Sequence, residues 1–134
     1  MKTLLDAGPL VALLNRRDAF HDWTRDAMAG LSVPLWTCEP VLAEAAHLSG
    51  RAAEITDMVA AGSLRIGLAV EAEAAALGRL LRRYARRMDL ADACIVRMSE
   101  LFSDSQVFTL DRNDFSVYRR NGRRTIPLLA PPAR

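Results

Sequence analysis

Two short apolar runs in this chain each lead into an aspartate: Thr3-Leu4-Leu5 into Asp6, and Val107-Phe108-Thr109-Leu110 into Asp111. Runs of this length and composition read as strands. A carboxylate next to such a run is a constraint on the fold, because a buried charge is costly unless it is paired or ligated. The segments between the two runs alternate helix-like and strand-like patterns, which implies a mainly parallel sheet covered on both faces. In open sheets of that kind, sites form outside the carboxyl ends of the strands, where Asp6 and Asp111 are expected.

Gly8-Pro9 turns the chain into a helix with Leu10, Val11, Leu13 and Leu14 on its apolar side. Phe20, Trp23, Ala27, Met28 and Leu31 mark a second helix, followed by a strand over residues 33–37. Pro40 opens a helix through Leu48, with Val41, Ala45 and Leu48 as its buried stripe. Helices are predicted over residues 51–61, 71–87 and 90–102. Strands are predicted over 64–68, 106–110 and 125–129, the last at a sheet edge because of Pro127.

The 134 residues, 51% of them hydrophobic, suit one domain over 1–134, with residues 130–134 as a flexible tail. No apolar run approaches the ~20 residues of a membrane span, so a soluble cytoplasmic protein is expected. Cys38 and Cys94 form no Cys-x-x-Cys pattern and are read as small buried hydrophobes. His21 and His47 lack a second ligand at metal-binding spacing and are read as surface or helix-packing residues.

The carboxylates carry the chemistry. Asp6 reads equally as the N-cap of the first helix and as a site ligand. Glu44 lies at the border of its helix's apolar stripe, turned inward or along the core edge. Asp89 and Asp92 share a helix face; a cap explains Asp89, whereas Leu90, Ala91, Ala93 and Ile95 enclose Asp92 in apolar sequence. Asp111 reads as a strand-end acid or as the start of a turn through Arg112-Asn113-Asp114, with Thr109 on the same side of the sheet. Gathered together, Asp6, Glu44, Asp92 and Asp111 repel one another unless cations bridge them. All-oxygen ligation suits Mg²⁺ or Mn²⁺, ions that serve phosphodiester hydrolysis.

Basic residues cluster at Arg79–Arg87 and Arg119–Arg124, and Lys2 is the sole lysine. Guanidinium forks suit bidentate phosphate contacts and hence a nucleic acid, with a compositional bias toward arginine as the equal alternative. Arg112 is expected to neutralise nearby acids. The Arg79–Arg87 face is read alternatively as a surface for an acidic partner or for a second copy of the chain.

Taken in order, Leu4-Leu5-Asp6-Ala7-Gly8-Pro9, Glu39-Pro40-Val41-Leu42-Ala43-Glu44, Met88-Asp89-Leu90-Ala91-Asp92-Ala93 and Thr109-Leu110-Asp111-Arg112-Asn113-Asp114 resemble the PIN-domain ribonucleases, specifically the VapC-like toxins of toxin-antitoxin pairs. The resemblance spans nearly the whole chain. It implies a three-layer α/β/α sandwich around a mainly parallel sheet, Mg²⁺- or Mn²⁺-dependent endoribonuclease activity, a homodimer and a cognate antitoxin. It assigns metal binding and catalysis to Asp6, Glu44, Asp92 and Asp111, with Asp89 and Thr109 in support, and makes Arg16, Arg82, Arg86 and Arg112 the arginines expected against RNA. Ala7 departs from the pattern, where such proteins commonly carry a hydroxyl. A receiver-like domain expects a late-strand lysine and a dehalogenase-like one expects Asp-x-Asp, and neither is present. A PIN-like module that only binds RNA or protein is the alternative.

Overall fold

The computed structural model describes residues 1–133. A five-stranded parallel sheet is formed by β1 (Lys2–Leu5), β2 (Leu35–Thr37), β3 (Leu64–Ile66), β4 (Ser105–Phe108) and β7 (Leu128–Leu129), ordered β3-β2-β1-β4-β7. The helices between them are α1 (Ala7–Leu14), α2 (His21–Ala29), α3 (Glu39–Ser49), α4 (Ala52–Ala60), α5 (Val70–Arg83), α6 (Leu90–Leu101) and α7 (Arg112–Val117). A separate antiparallel pair joins β5 (Arg119–Arg120) to β6 (Arg124–Thr125). The result is the expected three-layer α/β/α arrangement.

The strand order explains the layers. From β1 the chain moves outward through β2 to β3, then returns to the other side of β1 for β4 and β7. Parallel crossovers are right-handed, so reversing their direction puts the helices of the two halves on opposite faces. The reversal falls between β1 and β4, the point where open α/β sheets form their sites. Register there is fixed by Leu5 opposite Phe108 and by the Asp6 N–H donating to the Phe108 carbonyl at 3.0 Å.

Both central strands are sealed: Leu4, Leu5, Val107 and Phe108 are fully buried, as the near-continuous apolar runs require. Trp23 of α2 meets Phe108 edge-on with centroids 5.8 Å apart. Cys38 and Cys94 are free and buried within the same core, the role expected from their sequence setting. No described helix is long and apolar enough to cross a membrane.

Several boundaries differ from the sequence expectation. The strand expected over 125–129 is two strands: Arg124–Thr125 pairs in the hairpin and Leu128–Leu129 in the main sheet, with Pro127, which has no N–H to give, between them. The strand expected from residue 33 begins at Leu35, after Pro34, and the one expected over 64–68 ends at Ile66. Helix α5 stops at Arg83 rather than Arg87, because Arg86 takes a left-handed conformation (φ 76°) that ends helical geometry. Leu48 is exposed, at 62%, and the core face of α3 rests on Val41 and Ala45. The expected tail begins close to α7: the Arg112 guanidinium donates to the carbonyls of Ala130 and Pro131. Arg134 lies outside the described residues.

Phe108 sits at the sheet's centre, so Phe108→Ala leaves a cavity where several elements meet. It is expected to lower unfolding stability by about 3–5 kcal/mol in urea titration.

Candidate metal centre

Asp6 follows β1 directly and caps α1: its Oδ1 accepts the Ala7 N–H at 2.8 Å, and its Oδ2 accepts the Thr109 hydroxyl at 2.7 Å. Only 8% of its surface is exposed. Burial pushes its carboxyl above the ordinary range, against the two hydrogen bonds, with Asp89 and Asp111 repelling it further. The Thr109 hydroxyl also accepts the Asp111 N–H at 2.9 Å. One side chain thereby ties the end of β1 to the loop leaving β4.

Asp111 stands three residues beyond the end of β4, not at the strand terminus expected from the sequence. It is the N-cap of α7, accepting the Asp114 N–H at 3.0 Å. Asp89 caps α6 in the same manner, accepting the Asp92 N–H at 2.8 Å. Asp92, in the first turn of α6, is half-buried, and its Oδ2 accepts the Tyr118 hydroxyl at 2.8 Å. Its carboxyl is raised to about 7, chiefly by burial and also by the charges of Asp89 and Asp6, while the Tyr118 bond acts in the opposite direction. Glu44 is exposed on α3, beyond the core edge expected from its position in the sequence. Its carboxyl is also raised, by partial desolvation and by repulsion from Asp89 and Asp6.

These groups share one cavity of about 440 Å³, lined by Asp6, Glu44, Asp89, Asp92, Asp111 and Asp114 with Ala7, Gly8, Leu48, Arg87 and Leu110. Two of the ligand candidates, Asp6 and Asp111, are therefore also helix caps, because three helix N-termini open onto the cavity. The convergence also accounts for Gly8: a Cβ there would stand 3.2 Å from the Leu110 side chain.

Sequence reasoning missed two members. Tyr118 is fully buried and reaches Asp92 from the C-terminal end of α7; its apolar helical spacing with Phe115 reads as core and says nothing of its hydroxyl. Arg87 pairs with Asp114 at 3.3 Å and is the cation that borders the acids, the part expected of Arg112. Arg112 instead faces the 130–131 segment. Arg16 lies away from the acids, in a separate cavity of about 650 Å³ with Arg17, His21, Arg25 and Arg51. Arg82 and Arg86 are exposed and do not line the acidic cavity.

The donor set fits a hard divalent cation. Asp6, Glu44 and Asp92 are all disfavoured as anions by burial and by neighbouring carboxylates, so negative charge is in excess at the site despite Arg87. Among the described residues no group of three or more His, Cys, Asp or Glu side chains stands close enough together to hold a metal ion as placed. An open carboxylate-lined cavity of this kind suits Mg²⁺, which keeps several of its waters when bound by one or two carboxylates.

Without added cation, the raised carboxyls set the sign of the pH dependence. Their folded-state values exceed the unfolded ones, so the protonated forms favour folding. For Asp92 that contribution is whole below 3.8 and is lost as pH rises through about 7. In chelator, the melting temperature is expected to be higher at pH 5 than at pH 8, and Asp92→Asn to reduce the difference. A wild-type protein more stable at pH 8 than at pH 5 would contradict the assignment.

No protein-family model matches the sequence, and no curated protein matches it. Among solved structures the chain is similar to VapC20 of Mycobacterium tuberculosis, a toxin that cleaves the sarcin-ricin loop. The TM-score is 0.73 at 20% sequence identity, over 84% of this chain and 92% of that one. The likeness shows that this chain shares the three-layer α/β/α fold of that protein.

Proposed function

We propose that the chain is a divalent-metal-dependent endoribonuclease, the toxin of a toxin-antitoxin pair, in which Asp6, Glu44, Asp92 and Asp111 hold Mg²⁺ or Mn²⁺ beside an RNA phosphodiester. The observation that carries this reading is the meeting of carboxylates from four separate parts of the chain in one cavity at the sheet's switch point. The shared fold with a toxin that cleaves the sarcin-ricin loop supports RNA as the substrate class. In this reading the partners are RNA, a small antitoxin and a second copy of the chain, within the cytoplasm.

When bound, such cations offset phosphate charge, acidify an attacking water and stabilise the leaving oxygen. The protein's part is to keep the carboxylates in place. Thr109 and the Ala7 N–H fix both oxygens of Asp6, and Tyr118 fixes Oδ2 of Asp92. Ala7 brings no hydroxyl, and the one that reaches Asp6 comes from Thr109 across the β1–β4 seam. Asp89 supports by capping α6 and orienting its first turn. Arg87 lowers the net negative charge of the cavity through Asp114.

Incubation of labelled RNA with the purified protein tests this. Cleavage is expected with Mg²⁺ or Mn²⁺, to stop in chelator, and to fall about a hundredfold or more in Asp92→Asn. Undiminished cleavage in chelator or in the variant would overturn the proposal.

A further inference from the structure

The two arginine clusters, far apart in sequence, meet in the fold. Arg79, Arg82, Arg83 and Arg86 follow the exposed side of α5 and the turn after it, and Arg123 and Arg124 lie on the β5–β6 hairpin. The Arg83 guanidinium donates to the Gly122 carbonyl at the hairpin tip, 3.0 Å away, which joins the two elements directly. A second tie runs from the Arg119 N–H to the Tyr84 hydroxyl, 3.0 Å. Arg120 is turned inward: its guanidinium donates to the Ser103 and Ser105 carbonyls and anchors the hairpin to the start of β4.

This surface is also fixed relative to the acids. Tyr84 meets Tyr118 edge-on with centroids 5.1 Å apart, and Tyr118 holds Asp92. The turn after α5 ends at Arg87, which lines the acidic cavity. Among the described residues, none of these six arginines has a carboxylate within salt-bridge distance, whereas Arg25, Arg51, Arg87 and Arg97 do. The dipole at the C-terminus of α5 accounts for Arg82 and Arg83 alone. The hairpin arginines have no such explanation.

Resting on the nuclease reading, we propose that Arg79, Arg82, Arg83, Arg86, Arg123 and Arg124 form a basic ridge that holds the phosphodiester backbone of the RNA strand flanking the scissile position. Adjacent like charges without counter-ions repel one another, and a polyanion relieves that repulsion while releasing its own condensed cations. RNA is favoured over a protein partner because none of the large exposed apolar side chains belongs to α5 or the hairpin, and protein interfaces are centred on such anchors. Phosphate contacts carry no base information, so the ridge contributes affinity and register but not sequence choice.

The test is binding of a fluorescent single-stranded RNA of about 20 nucleotides to the full chain in chelator, followed by anisotropy over a salt series. Chelation removes metal-dependent turnover, so the result is independent of whether the acids cut RNA. Arg79→Gln/Arg82→Gln and Arg123→Gln/Arg124→Gln, made separately, are each expected to weaken binding about tenfold or more at low salt. Each is also expected to reduce the slope of log K against log salt by roughly 0.7 for every phosphate that is no longer neutralised. The matching Arg→Lys pairs are expected to restore most of the slope, with thermal melts of all variants matching wild type. Unchanged affinity and slope in both Gln pairs would overturn the proposal. So would a change confined to the oligomeric state seen by size exclusion, or to the capture of an acidic protein.

Discussion

A carboxylate buried at the end of the central strand organises this molecule. Asp6 is nearly inaccessible, and its two oxygens are held by a backbone N–H and by the hydroxyl of Thr109. A buried acid left without donors would cost several kilocalories per mole or take up a proton. The bond from Thr109 exists only because β1 and β4 are parallel neighbours with Leu5 opposite Phe108. The register that seals the core is therefore also the register that supports the acid. A slip of one residue would turn Thr109 to the other face and leave Asp6 unsupported.

From that seam the rest of the site follows through helix starts. Asp6, Asp89 and Asp111 are all N-caps, each accepting a backbone N–H in the first turn of its helix. Capping and cation binding are not competing explanations of these residues. A cap fixes the side chain's rotamer, and a fixed rotamer holds a carboxylate ready at a cavity edge. The electrostatic cost appears at Asp6, Glu44 and Asp92, whose carboxyls are all raised by burial and by their neighbours' charge. On the proposed function, activity and stability are opposed at this edge of the sheet until a cation is present.

Much of this is legible in the sequence because the informative residues are local. Asp6 and Gly8-Pro9 mark a strand-to-helix joint, and Asp89 three residues before Asp92 marks a cap, each within a few positions. What the sequence hides is long-range: the Tyr118 hydroxyl reaches Asp92 across 26 positions, and Arg83 reaches Gly122 across 39. Glu44 is expected too deep because Leu48 reads as core. In the fold Leu48 instead borders the acidic cavity, where an apolar residue at the rim and a buried one have the same helical spacing. The split of residues 125–129 into two strands is hidden for a similar reason, since no local pattern reveals which partner each half will find.

The central claim is that the gathered acids form one cation site with Asp6 as a member. It is tested most directly by the melting temperature of wild type and Asp6→Asn with and without saturating Mg²⁺. A ligand that binds only the folded state stabilises it by roughly 2.7 kcal/mol at a hundredfold excess over Kd. The account predicts a rise of several degrees for wild type and little or none for Asp6→Asn, whose metal-free form has already lost a buried charge. Equal shifts in the two proteins would contradict it.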